Sequence, residues 1–387
     1  MFRHITVLAS CLLLATTICE AKSKEKQKDK SDGSSIGDFA KALRKNDWPK
    51  VYRNKKGFLG KVTLIGRIDY QGEHQDLDAG SRSHFGFRRF RLGADLRFAG
   101  DWRLKILGGL LNRGDLTTYD RLDALYLQFQ PAKRWKLTLG KQVPKFGLEW
   151  STPSMDLKVI ERSLLTRQIR PRRATGFSIG HDGKDLDLEV GIYSGERTDE
   201  LGDFNSGFFA TFRASYDLED VLDLCDNFDL NFYYMNQDTS NANSQSRGYG
   251  NSYSAAIEIR ENNFRFNLEG LIANGIGDRP DVWGVIATSS LELVEDKLDV
   301  SLRFHLAHGN GRDGLRPRTP FGGFVPDLDD RGRGERFQSV YLGLNYYPVE
   351  DRIHWMNGVQ WSRMEDRVGD GGNWEGFTFM TALRYDF

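Results

Sequence analysis

The sequence predicts an all-β chain, a transmembrane antiparallel β-barrel of sixteen strands, and three observations carry that expectation. Hydropathy alternates with a period of two along most of the chain. The connections between the alternating stretches are short and long in turn. The composition joins 12% aromatic residues and 41 glycines to a mean hydropathy of −0.53 over 387 residues. A membrane helix needs about 20 consecutive apolar residues, so a helical bundle is excluded. The aromatic content argues against disorder. A barrel wall with lipid outside and water inside fits both facts. Lys+Arg and Asp+Glu stand at 54 each, and that balance gives no reason to expect a nucleic-acid partner.

From the amino terminus, Met1 to Ala21 reads as a signal peptide, with Arg3 before a short apolar run and Cys19-Glu20-Ala21 as the cleavage site. Leu8-Ala9-Ser10-Cys11 also fits a lipoprotein box, but leaves too short an apolar run ahead of it. Once Cys11 and Cys19 leave with the signal, only Cys225 remains, so no disulfide is possible within the mature chain. Residues 22–60 read as a basic, flexible periplasmic leader. Over 22–56, 12 Lys/Arg face 5 Asp/Glu with few apolar residues between them.

The barrel is expected over 61–387. Phe90, Leu92, Ala94, Leu96 and Phe98 alternate with Arg89, Arg91, Asp95 and Arg97, and the stretches 298–306 and 340–346 behave alike. Sixteen strands are expected to start near residues 61, 85, 102, 121, 135, 174, 186, 207, 227, 250, 264, 282, 297, 336, 353 and 376. Short connections such as Ala99-Gly100-Asp101, Asp182-Gly183-Lys184 and Glu261-Asn262-Asn263 alternate with longer ones at 71–84, 112–120, 143–173, 194–206, 237–249, 273–281, 309–335 and 367–375. Tight periplasmic turns and long external loops produce that segregation. All 10 prolines are expected outside strands, since proline cannot donate to a ladder. Trp102, Trp135, Trp355 and Trp361 suit interfacial girdles. The stripe Phe377, Phe379, Thr381, Leu383, Tyr385, Phe387 is the closing strand, of the kind that barrel-assembly machinery recognises.

Several motifs add a resemblance: Gly66-Arg67-Ile68 with Tyr70, Phe87-Arg88-Arg89-Phe90-Arg91-Leu92-Gly93, Asp101-Trp102, Leu139-Gly140-Lys141, Val143-Pro144, Phe146-Gly147-Leu148-Glu149, Ile160-Glu161-Arg162-Ser163-Leu164 and Arg170-Pro171-Arg172-Arg173. In this order and spacing the chain resembles the phosphate-selective porin O and P family. The resemblance implies a sixteen-stranded outer-membrane porin, usually a homotrimer, with the third long loop folded into the pore. The Arg-Pro-Arg-Arg run departs from the glycine-containing form of the family.

A barrel of this size leaves a water-filled channel, so selectivity must come from what narrows and charges it. Segment 143–173 is the expected constriction and anion-binding loop. Lys145, Lys158, Arg162, Arg167, Arg170, Arg172 and Arg173 stand there against Glu149, Asp156 and Glu161. Rings of Arg and Lys favour anions, and a guanidinium can grip phosphate through two bonds. Arg67, Arg89, Arg91, Arg97, Arg103 and Lys105 are expected on the pore wall, where pairing with Asp69, Asp95 and other inward acids is the plainer expectation. Arg312, Arg316, Arg318, Arg331, Arg333 and Arg336 read as a surface loop pairing with Asp327, Asp329 and Asp330, with the gathering of anions at the mouth as its further role.

No catalytic, metal or cofactor site is expected. Alternation separates His305 from His308, no further ligand stands near them, and Gly309-Asn310-Gly311-Arg312-Asp313-Gly314 precedes no helix. The function expected is passive diffusion of small hydrophilic solutes through the outer membrane, leaning toward anions such as phosphate or oligophosphate. A non-selective porin and an envelope-anchoring or adhesion barrel are the alternatives. The partners expected are outer-membrane lipid and the permeating solutes.

Overall fold

The computed structural model describes residues 50–54, 57–112, 115–219, 225–238, 243–245, 247–311, 314–318, 332–349, 352–367 and 372–387. The expected signal peptide and the leader as far as residue 49 lie outside the described residues, as do Cys11 and Cys19. Seventeen strands are present among the described residues: β1 (Lys50–Arg53), β2 (Leu59–Leu77), β3 (Gly80–Phe98), β4 (Trp102–Asn112), β5 (Asp115–Ala132), β6 (Trp135–Gln142), β7 (Ala174–Asp182), β8 (Leu186–Ser194), β9 (Phe208–Asp217), β10 (Asn227–Gln237), β11 (Tyr249–Glu261), β12 (Phe264–Gly275), β13 (Val282–Val294), β14 (Leu298–Gly309), β15 (Arg336–Val349), β16 (Ile353–Glu365) and β17 (Trp374–Asp386). From β2 to β17 each strand pairs antiparallel with the next. β17 then pairs with β2, from Gly376↔Leu77 to Asp386↔Arg67, and the sixteen-stranded ring is closed.

The alternation places side chains as a membrane wall requires. On β14, Leu302 and Phe304 are 47% and 46% exposed, whereas Arg303 and His305, alternating with them, are 3% and 1% exposed. Apolar residues outside and polar residues inside invert the burial of a water-soluble protein. The apolar core lies within the barrel. Phe146, Leu165 and Ile169 of segment 143–173 pack there with Tyr193, Tyr233 and Leu271 of the wall.

Three details differ from the sequence expectation. The first long connection is a hairpin: β2 runs to Leu77 and β3 starts at Gly80, leaving Asp78 and Ala79 as the turn. The second shrinks likewise, because β5 already starts at Asp115. Nineteen residues at about 3.3 Å each span roughly 60 Å, well beyond an apolar band of about 25 Å. Past the lipid, both faces of a strand carry polar residues and the period-two signal fades while the ladder continues.

Pro131 and Pro348 are not outside strands but in the last residues of β5 and β15. Each sits where the pairing slips, between Phe129 and Ala132 and between Tyr346 and Val349, so the missing donor falls in a bulge.

Within the segment assigned to the leader, β1 pairs with β2 from Arg53↔Lys61 to Lys50↔Thr63. It takes up the edge of β2 just beyond the point where β17 runs out.

Candidate functional site

Segment 143–173 leaves the wall between β6 and β7 and runs inside the barrel. Pro144, Pro153 and Pro171 interrupt any ladder it might form. Two short helices organise it, α1 (Leu148–Ser151) and α2 (Leu164–Ile169). Ser163 caps α2, its hydroxyl accepting from the Thr166 amide at 3.3 Å. Gly147 before α1 has φ 75, and a Cβ there would stand 2.7 Å from Glu269 Oε1, so glycine is required twice over.

Wall side chains fasten the segment at several points. Glu269 on β12 accepts from the amides of Leu148 and Glu149 at 2.7 and 2.9 Å. Arg303 on β14 donates to Glu149 Oε1 at 3.0 Å and to the Glu161 carbonyl at 2.6 Å. Lys158 reaches Asp299 on β14 at 2.6 Å and the Tyr347 hydroxyl at 3.0 Å. Arg384 on β17 donates to the Ser154 carbonyl at 2.9 Å. Bonds from such different strands fix the segment across the interior rather than along one wall.

The bases singled out in the sequence divide into two groups. Among the wall residues, Arg67 and Arg89 both meet Asp69, at 2.7 and 2.5 Å. Arg103 bonds Asp95 at 2.8 Å, and Arg91 pairs with Asp123. In the segment, Lys158 pairs with Asp299, Arg167 with Glu161 at 3.6 Å and Arg173 with Asp123 at 3.9 Å. Burial alone would raise the Glu161 carboxyl, but Arg88, Arg167 and Arg89 hold it well below the usual range. Arg97, Lys105, Lys145, Arg162, Arg170 and Arg172 have no described carboxylate within 4.0 Å. Arg162 instead donates to the carbonyls of Glu149 and Thr152 and, like Arg170, lies over the Trp150 ring.

The unpaired arginines do not stand alone. Arg170 and Arg172 face Arg247, from the connection between β10 and β11, and Arg172 and Arg247 both face Arg197 and Arg318. Arg318 is also near Arg279. Burial first, and then these like charges, bring Arg172 down to about 10 and Arg247 down to about 9. Arg170 is lowered well below its ordinary value for the same reasons. A Nη1 bond from Arg247 to the Arg167 carbonyl helps hold the group together. Asp199, near Arg172, works against the repulsion.

Arg197, Arg247 and Arg279 were not among the residues singled out in the sequence. Arg318 was expected on a self-pairing surface loop. Residues 314–318 lie on α2: Gln168 Nε2 donates to the Gly314 carbonyl at 2.7 Å, and the Arg316 amide donates to Gln168 Oε1 at 2.8 Å. Asp327, Asp329 and Asp330 lie outside the described residues. One signal was available, because every long connection after β6 up to 309–335 carries an arginine.

Toward the short turns the interior opens into a cavity of about 730 Å³ of mixed charge, where Asp229, Glu258 and Glu292 stand beside Lys145, Arg213 and Arg265.

Residues 61–293 match the family described as phosphate-selective porin O and P. No curated protein is significantly similar in sequence. Among solved structures, the anion-selective porin from Comamonas acidovorans is similar with a TM-score of 0.58 at 13% identity, covering 84% of this chain and 99% of that one. OprB of Pseudomonas putida gives 0.57 at 10% identity, covering 84% and 94%. OmpT of Vibrio cholerae in its trimer form gives 0.53 at 11% identity, covering 84% and 99%. At such identities the likeness is one of fold.

Proposed function

The chain belongs to the phosphate-selective porin O and P family and is an outer-membrane porin, and we propose that the solutes it favours are small anions such as phosphate or oligophosphate. The arginine cluster at the long-loop end carries this reading. Arg170, Arg172, Arg197, Arg247 and Arg318 each lie within electrostatic reach of others of the group, and Arg247 is bonded to the Arg167 carbonyl beside Arg170. Charges crowded in this way at a channel mouth raise the local concentration of the opposite ion. Guanidiniums also match the oxygens of a phosphate in geometry.

The constricting role of segment 143–173 belongs to the same proposal. Anions gathered at the mouth pass the segment beside Arg173, Lys105 and Lys145 and enter the mixed-charge cavity below. We read the molecule as a channel and not an enzyme. A homotrimer is the assembly we propose, supported by the trimer form of OmpT. Delivery by barrel-assembly machinery through the strand ending at Phe387 completes the reading.

The mixed charge of the lower cavity and the ion pairs of the wall favour a second reading, a porin with little ion preference. Single-channel currents in a planar bilayer under a KCl gradient separate the two. A reversal potential set by chloride, with current blocked by added phosphate, supports the anion filter. Large ohmic currents without preference leave a general porin.

A further inference from the structure

We propose that segment 195–206, between β8 and β9, is a strap that seals a lateral notch in the barrel wall, and that Lys141 is the residue that pins it. The inference needs only that the chain is a membrane barrel. It is independent of the anion preference proposed above.

The notch follows from the strand lengths. Because the chain turns inward after Gln142 and returns at Ala174, β6 and β7 end low. Pairing of β5 with β6 reaches only Leu125↔Lys141, yet β5 continues to Asp115. Above that level the β5 edge has no β6 beside it, and β7, β8 and β9 end at about the same height, so the wall steps down next to β5. An open ladder edge at the rim of the bilayer leaves backbone donors without partners and leaves the channel wall incomplete.

The strap fills that place. The Leu122 amide on the bare edge of β5 donates to the Asp199 carbonyl at 2.8 Å. The Tyr119 hydroxyl donates to the Glu200 carboxylate at 2.8 Å, and the Gly202 amide donates to Thr175 Oγ1 on β7 at 2.9 Å. Lys141 lies on the outer face of β6, two residues from Leu139, which is 61% exposed. Lys141 itself is only 3% exposed. Its ammonium donates to the carbonyls of Thr198 and Glu200 at 3.0 and 2.6 Å. A lysine on the outer face of a barrel is costly unless its charge is met, and here the strap meets it. Lys141 therefore belongs to the wall and not to the pore.

The test is Lys141→Met in the full chain, which keeps the length of the side chain and removes the charge. The reporter is Leu122→Cys, in a Cys225→Ser background, treated with a membrane-impermeant thiol reagent. Losing two charge-assisted bonds should speed modification of Cys at 122 roughly tenfold or more and add open-channel noise. A disulfide between 122 and 199, made by Leu122→Cys with Asp199→Cys in the same Lys141→Met chain, should silence the noise again. If Lys141→Met prevents folding, judged by heat-modifiable migration in detergent, the pair Tyr119→Phe and Thr175→Val provides the same readout with smaller lesions. Unchanged modification rate and unchanged noise in a folded variant would overturn the proposal.

Discussion

The ring of Phe387 lies on Gly66, occupying the space that a side chain at position 66 would need. The two backbones are joined in both directions, Gly66 N to Phe387 O at 2.9 Å and Phe387 N to Gly66 O at 3.1 Å. The last residue of the chain thus closes the seam between β17 and β2, and β1 continues along the same edge from residue 63 to residue 61. Two motifs noted separately in the sequence, Gly66-Arg67-Ile68 and the terminal aromatic stripe, are halves of one contact.

Gly66→Leu should therefore displace the terminal ring and weaken the seam. The expected loss is about 1–3 kcal/mol, the usual consequence of overpacking. Deleting Phe387 removes the same contact together with both backbone bonds and should cost more. The temperature at which the barrel loses its fast migration in detergent gels measures both. A Gly66→Leu variant as heat-resistant as the parent would show that the ring moves aside freely.

This contact also marks what the sequence made legible. Strand starts at Trp102, Ala174 and Leu186 could be placed because a turn residue and an apolar alternation meet there. Pairing depends on register, which alternation does not reveal. Asp123 joins Arg91, Arg121 and Arg173 from β3, β5 and the inserted segment, and of these only Arg121 stands near it in sequence. The arginine cluster was hidden for a similar reason. Arg197, Arg247 and Arg318 sit in separate loops, and only closure of the barrel brings those loops to one end.

Glu269 should set the position of the inserted segment. Both its carboxylate oxygens are taken by the Leu148 and Glu149 amides, and Ser254 Oγ adds a bond to Oε1 at 2.8 Å. Glu269→Ala would leave two buried amides without acceptors, which weakens the docking of the segment on the wall by roughly 3 kcal/mol and leaves the strand ladder itself untouched. Because the far end stays fastened by Arg384 and Lys158, the barrel should still fold while the segment shifts. Altered unitary conductance with preserved heat resistance is the expected pair of results. Unaltered conductance would mean that the other anchors suffice.

Charge removal at the mouth should act on selectivity and leave stability intact. Arg170→Gln, Arg172→Gln and Arg247→Gln each relieve like-charge repulsion, which offsets the lost Trp150 contact and the lost bond to the Arg167 carbonyl, so none should shift the stability of the barrel by more than about 1 kcal/mol. The triple variant should bring the reversal potential in a KCl gradient close to zero. By contrast, Arg103→Gln removes a base already neutralised by Asp95. It should move the reversal potential little, although it leaves that carboxylate without its partner. If the two variants change selectivity equally, the division into paired and unpaired bases does not govern the pore.

The same repulsion makes anion binding visible as stability. Burial and neighbouring arginines lower Arg247 to about 9 and Arg172 to about 10, so near neutral pH both stay protonated but hold their charge at a cost that the unfolded chain does not bear. A lowered folded value means that the unfolded chain holds more protons between about pH 9 and 12, and stability from these groups rises with pH across that window. A multivalent anion seated among the guanidiniums offsets the repulsion at neutral pH instead. Pyrophosphate at a hundred times its dissociation constant should then add about 2.7 kcal/mol. That gain should fade as the pH climbs through 9 to 10, because the charges it pairs with are leaving. Thermal unfolding in detergent, with and without pyrophosphate, at pH 7 and pH 10 reads both effects. Equal stabilisation at the two pH values would place the anion elsewhere than on Arg172 and Arg247.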